Sequence, residues 1–130
     1  MAKAVTITIV TIPHKTQRYN TVGDWQFNEK GDLFITISDM GDWKKEFLVA
    51  FHELIEVMLC KHRGISQELV DKFDIDYEAK RDSEDVESEP GDAPGAPYRK
   101  EHFLATSLER IMSQELDVDW RAYEEAIFNL

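Results

Sequence analysis

Two side chains in one short stretch of this sequence have the types and the spacing of metal ligands. The stretch FHELIEVMLC, residues 51–60, contains His52, Glu53 and Glu56 in a His-Glu-x-x-Glu pattern. Residues four positions apart on an α-helix lie on the same face, so the imidazole of His52 and the carboxylate of Glu56 would point toward one ion. Both groups bind zinc in proteins. In the His-Glu-x-x-His pattern, which differs at one position, the glutamate after the first histidine takes a proton from a metal-activated water, and Glu53 has that position.

A catalytic zinc ion takes three protein ligands, and His102 is the candidate for the third. Of the four histidines in the chain, His62 lies ten residues beyond His52. On a helix this separation is about 280° around the axis and roughly 15 Å along it, so these two cannot share an ion. His14, just past the first predicted strand, is a weaker candidate. With His102, the predicted set becomes two histidines and one carboxylate.

Further carboxylates lie near the candidate ligands in the sequence. Glu109 is two helical turns beyond His102, where it would orient the imidazole of His102 or bind the metal in its place. Three more, Asp74, Asp76 and Glu78, occur in the stretch FDIDYE, and the sequence does not assign them to a site. The predicted centre is therefore His52, Glu56 and His102, supported by Glu109, and it would hold zinc or another divalent metal.

Alternation of apolar and polar residues predicts a small sheet ahead of these residues. Residues 4–12, AVTITIVTI, alternate β-branched apolar residues with threonine, as is typical of a strand. Residues 22–38 contain two further segments with strand character, separated by the turn-forming residues NEKGD, and these predict a β-hairpin. An antiparallel or mixed sheet of about three strands is expected.

From residue 43 onward, apolar residues recur at helical spacing. One helix is predicted from residue 43 to about 62, a short one to about 73, another from about 98, and a last one near the end of the sequence. The candidate residues at helix ends are Asp42, Gly64, Ser66 and either Asp117 or Asp119. A small sheet followed by helices predicts the α+β class. The length of 130 residues predicts a single domain over residues 1–130.

The segment 80–97, KRDSEDVESEPGDAPGAP, has almost no apolar side chain to bury. This composition predicts an acidic loop or a disordered segment. A solvated linker is its simplest interpretation. Because it separates the two predicted ligand helices, a lid over the site is the alternative.

The order of these elements resembles the minimal fold of the zincin metallopeptidases. A strand and a hairpin precede a helix with His52, Glu53 and Glu56 at the motif positions, and His102 matches the third ligand by its place on a later helix. The second histidine of the zincin motif is replaced by Glu56. The resemblance implies a zinc-dependent hydrolase acting on a peptide or protein, with Glu53 activating water, or a non-catalytic metal-binding descendant. The chain also resembles small uncharacterised phage or prophage proteins.

Charge and composition favour some partners and exclude others. The net charge of −11 disfavours binding to a phosphate backbone, so no nucleic-acid partner is expected. No apolar run approaches membrane-spanning length, and a single cysteine favours a reducing compartment, so a cytoplasmic location without membrane association is predicted. An acidic surface also suits a second hypothesis, a non-enzymatic module without metal that binds a basic protein.

Overall fold

The computed structural model describes residues 5–81 and 88–130, and within them a three-stranded mixed sheet. The strands are β1 (Ile7–Ile12), β2 (Gly23–Phe27) and β3 (Leu33–Ser38), in the order β1-β3-β2. β2 and β3 pair antiparallel, which confirms the predicted hairpin. β1 pairs with β3 in parallel.

Four α-helices follow the sheet. They are α1 (Trp43–Arg63), α2 (Gln67–Ala79), α3 (Arg99–Glu115) and α4 (Trp120–Phe128), and short 3-10 helices occupy His14–Thr16 and Pro90–Asp92. The predicted α+β class with a mixed sheet is therefore confirmed. Among residues 5–81 and 88–130, none of the helices combines the length and the apolar character that a membrane-spanning segment requires.

The ends of α1 follow from local chemistry. The side chain of Asp42 accepts a hydrogen bond from the backbone N–H of Lys44, and Gly64 ends the helix with φ of 71°, a conformation that glycine adopts without strain. Ser66 and Asp119 cap α2 and α4 in the predicted manner. α2 ends at Ala79, whereas the sequence predicted an end at about residue 73. The extra turns include a stacking contact between Phe73 and Tyr77, one turn apart.

The core lies between β3 and α1. Leu33, Ile35 and Ile37 alternate along β3 and are buried, and they belong to one apolar cluster with Leu48 and Val57 of α1. α1 also packs along α3. These contacts place one face of α1 beside α3, and the candidate ligands lie on that face.

The predicted acidic loop covers residues 80–97, of which residues 82–87 lie outside the described part. Residues 90–92 form the 3-10 helix, which packs on α3 with Gly91 buried. This part of the segment therefore contacts the fold rather than extending into solvent.

Candidate metal centre

Three ligand atoms from α1 and α3 converge on one point. Nε2 of His52 lies 3.1 Å from Oε2 of Glu56 and 3.2 Å from Nδ1 of His102, and that Nδ1 lies 2.9 Å from the same Oε2. Ligand atoms around a tetrahedral zinc ion at bond lengths of 2.0–2.1 Å are about 3.3 Å apart. The structure thus brings together the three residues predicted as ligands, at separations that suit one ion.

The two helices position these atoms while removing them from water. His52 and Glu56 are one turn apart on α1, and His102 lies in the first turn of α3. The exposed fractions of the three residues are 8%, 5% and 6% respectively. Burying such polar groups without partners is costly, so the partners of each ring nitrogen decide what the cluster can bind.

The other ring nitrogen of His52 faces a carboxylate. Nδ1 of His52 lies 2.7 Å from Oε1 of Glu109, and the hydroxyl of Tyr123 donates to Oε2 of Glu109. An ionised carboxylate can only accept, so Nδ1 carries the proton. The prediction that Glu109 supports His102 is wrong, because Glu109 contacts His52 instead. Seven residues separate Glu109 from His102, about 10 Å along the helix axis, and Glu109 reaches across to α1.

The other ring nitrogen of His102 also faces carboxylates. Nε2 of His102 lies 3.0 Å from Oε2 of Glu89 and 3.3 Å from Oδ1 of Asp92. Both residues come from the acidic segment ahead of α3. Neither residue was predicted from the sequence, because carboxylates in a low-complexity segment have no diagnostic spacing. Only the position of the segment between the two ligand helices pointed to them.

These outer contacts determine where the lone pairs of the neutral rings point. With a proton on Nδ1 of His52 and on Nε2 of His102, the opposite nitrogens present lone pairs to the point of convergence. A carboxylate behind each metal-binding histidine is the usual arrangement, since it fixes the ring orientation and raises ligand basicity. In this neutral form of the two rings, three acceptor atoms face one another, an arrangement that could hold a cation.

Protons are the competitors of a metal at this point. Burial disfavours the imidazolium of His52, but hydrogen bonds to Glu109 and Glu56 outweigh it and raise the pKa of His52 well above its ordinary value. Burial of His102 is likewise outweighed by hydrogen bonds to Asp92, Glu56 and Glu89, so its pKa is also raised. In the metal-free protein these raised pKa values favour the protonated form of both rings. A divalent cation that displaces the two inner protons leaves the net charge of the cluster unchanged.

Glu56 is held ionised among these groups. Burial disfavours its charge, but hydrogen bonds from His102 and His52 lower its pKa to about 2. The indole N–H of Trp25, on β2, donates to Oε1 of Glu56 at 3.2 Å. This contact leaves Oε2 facing the two imidazoles, so the carboxylate is oriented as a ligand with a single oxygen.

Glu53 differs from its neighbours in lacking a hydrogen-bond donor among the described residues. Glu53 is 9% exposed and lines a cavity of about 210 Å³ beside the three ligand atoms. Burial raises the pKa of Glu53 well above its ordinary value, and the charge of Glu56 adds to this. A Cβ atom on Gly23 would lie 2.9 Å or less from three atoms of Glu53. Only glycine at this position of β2 leaves room for Glu53.

Gly91 leaves room for His102, as Gly23 does for Glu53. A Cβ atom on Gly91 would lie 2.8 Å or less from Cγ, Nδ1 and Cδ2 of the His102 ring. The 3-10 helix can therefore approach the ring closely enough for Glu89 and Asp92 to reach Nε2. This requirement could not be recognised from the sequence, where Gly91 is one of several small residues in the segment.

The remaining candidates lie apart from the three ligand atoms. His14 contacts Ser38 and Asn20, and His62 is exposed in the last turn of α1. Asp74 lines the cavity on α2. Of the other two unassigned carboxylates, Asp76 is exposed and Glu78 pairs with Arg81.

Comparison of the chain with protein-family models, with curated proteins and with solved structures finds no match. The function is therefore inferred from the geometry of the site itself.

Proposed function

We propose that this protein is a zinc-dependent hydrolase that acts on an amide of the peptide type. His52, Glu56 and His102 hold the ion, and Glu53 acts as the general base. The observation that carries the proposal is the orientation of the two imidazoles. Their outer nitrogens are turned to carboxylates, so their inner nitrogens and Oε2 of Glu56 form a three-atom donor set.

The identity of the donors favours zinc. Two imidazole nitrogens and one carboxylate oxygen form the ligand set of several zinc hydrolases, in which the fourth position stays open for water or substrate. Magnesium and calcium prefer sites made entirely of oxygen ligands. The buried location and the fixed ring orientations add to the affinity, because the ligands need little reorganisation on binding.

The proposed reaction assigns a role to each group. Zinc bound here supplies Lewis acidity, which lowers the pKa of a water molecule and polarises a carbonyl. Glu53 accepts a proton from the attacking water, whose oxygen bonds to the carbonyl carbon. The C–N bond then breaks, and Glu53 delivers the proton to the leaving nitrogen, so that an acid and an amine are formed. Burial raises the pKa of Glu53 well above its ordinary value, which suits a group that both accepts and donates a proton.

The experiment is zinc-dependent hydrolysis of a fluorogenic peptide library by the protein and by Glu53→Gln. The variant is expected to keep its zinc and to lose about 10²–10⁴-fold in kcat, the usual contribution of a general base. Glu115→Gln, at an exposed position of α3, is the matched control and should retain full activity. A zinc-loaded protein that cleaves nothing, or a Glu53→Gln variant as active as the control, would contradict the hydrolase proposal.

The second candidate function is an acidic interaction module without metal. It is supported by the same contacts, since the ring nitrogens of His52 and His102 all lie within hydrogen-bonding distance of carboxylates and form a closed ion-pair network. The two candidate functions predict different zinc contents for the protein. A protein that binds no zinc at any pH between 6 and 9 would be assigned to the second.

A further inference from the structure

The cavity beside the proposed metal ligands continues to Asp74 on α2. Asp74, Tyr19 and Tyr98 line the same cavity as Glu53 and His102. Tyr98 links the two regions, because its ring packs edge-on against the His102 ring with centroids 6.0 Å apart while its hydroxyl donates to Oδ1 of Asp74. A group bound at Asp74 would therefore lie one tyrosine ring away from the proposed metal.

Asp74 is a buried carboxylate that accepts hydrogen bonds from two tyrosine hydroxyls. It is 8% exposed, and Tyr19 donates to its Oδ2 at 3.2 Å. Among the described residues it forms no ion pair. Burial raises the pKa of Asp74 to about 7, against the effect of the Tyr98 hydrogen bond. The two hydroxyl donors satisfy one lone pair on each oxygen and leave the others directed elsewhere.

The rest of the cavity lining does not compensate this charge. Three of the other lining carboxylates contact the site histidines, and three pair with Arg18 or Arg81. Glu53 and Asp74 remain without a cation within salt-bridge distance in the described part of the chain. Even with a divalent ion at the metal site, the cavity keeps an excess of negative charge, so it favours a cationic ligand.

We infer that Asp74 binds the protonated primary amine of a small substrate whose scissile carbonyl lies at the His52–Glu56–His102 site. This inference rests on the proposed function and adds a substrate class to it. An ammonium group supplies the missing positive charge and donates to the free lone pairs of Asp74. The cavity of about 210 Å³ suits a small ligand such as an aminoacyl amide or a dipeptide.

The amine could be an α-amine or the end of a lysine-like chain, and hydroxamates distinguish these sources because the hydroxamate group binds zinc. The test is calorimetry of zinc-loaded protein with leucine hydroxamate, N-acetyl-leucine hydroxamate and 6-aminohexanoic hydroxamate. At least one free amine is expected to bind at least tenfold more tightly than the acetylated ligand. The tighter of the two free amines identifies the source.

Two variants connect the preference to Asp74. Asp74→Asn should bind free and acetylated ligands within about twofold of one another, and Asp76→Asn, an exposed position on the same helix, should keep the tenfold preference. Equal binding of free and acetylated ligands by the unmodified protein overturns the inference without reference to any variant. So does a preference that survives in folded Asp74→Asn. The zinc content of the same samples distinguishes failure of the proposed function from failure of this inference. Protein that lacks zinc contradicts both. Zinc-loaded protein without a preference for the free amine contradicts this inference alone.

Discussion

Zinc binding at the candidate centre should release at least two protons per ion at pH 8. The perturbation is replacement of the inner protons of His52 and His102 by the metal. Hydrogen bonds to carboxylates raise the pKa of both rings above the ordinary value, which favours their protonated forms without metal. Glu56, with its pKa lowered to about 2, is already ionised and contributes no proton. Zinc therefore competes with two protons, and its apparent affinity should rise by up to about a hundredfold per pH unit below the histidine pKa values.

Isothermal titration of zinc in buffers with different ionisation enthalpies measures this number. Unperturbed histidines, with pKa of about 6.5, would hold only about 0.03 proton each at pH 8, and the activated water could add about one. The slope of the measured enthalpy against the buffer ionisation enthalpy gives the number of protons released per zinc ion. A slope of two or more protons is expected, and a slope of one proton or fewer would refute the reasoning about the two rings. His62→Ala, which removes an exposed histidine of α1, should leave the slope unchanged.

Three further predictions concern residues around the centre. Tyr123→Phe removes the hydroxyl that donates to Glu109, and zinc affinity should fall about tenfold in a competition assay with a chromophoric chelator. Gly91→Ala should displace the His102 ring and lower zinc affinity at least tenfold in the same assay, because the added Cβ overlaps the ring. Asp74→Asn should flatten the pH dependence of unfolding of the metal-free protein. The folded-state pKa of Asp74 is raised to about 7 from an unfolded value of 3.8, so this carboxyl contributes stability below about pH 4 that is lost as pH rises through 7. The change amounts to at most roughly 4 kcal/mol between pH 4 and 8, measurable by urea unfolding.

Each of these predictions has a result that contradicts it. Unchanged zinc affinity in Tyr123→Phe would mean that Glu109 needs no donor to orient His52. Gly95→Ala, at a glycine whose added Cβ would meet only Phe73 at 4.0 Å, is the control for Gly91→Ala, and equal affinities in the two variants would contradict the close approach. For Asp74→Asn, an unfolding free energy with the pH slope of the parent protein would place the titration elsewhere.

The elements were predictable from the sequence because their signals are local. Alternation in 33–38, the Asp42 cap and the Gly64 stop each depend on neighbouring residues, and the structure has them as predicted. The length of α2 was missed: Tyr77 follows Phe73 at the helical i, i+4 spacing and stacks on it, but the acidic residues of DIDYE obscured this signal. Parallel pairing of β1 with β3 is a long-range property that local pattern does not encode.

The candidate site likewise has a part that was predictable from local spacing and a part that depends on packing. His52 and Glu56 were predicted from i, i+4 spacing on one helix, and His102 by exclusion of the other histidines. The partners behind the rings were not predicted correctly. Glu109 contacts His52 instead of His102, and Glu89 contacts His102 from a segment without periodicity. Such contacts depend on how α1, α3 and the 3-10 helix pack, and a single sequence carries no spacing signal for that packing.

The most direct test of the central claim is the metal content of the protein. It should be prepared without a histidine tag, dialysed against zinc at pH 8 and analysed by inductively coupled plasma mass spectrometry. Because the three ligand atoms lie within 3.2 Å of one another, one zinc ion per chain is expected in the parent protein and in His62→Ala. His52→Ala and His102→Ala should each contain almost none. Zinc absent from the parent protein, or retained in both ligand variants, would contradict a metal centre at this site.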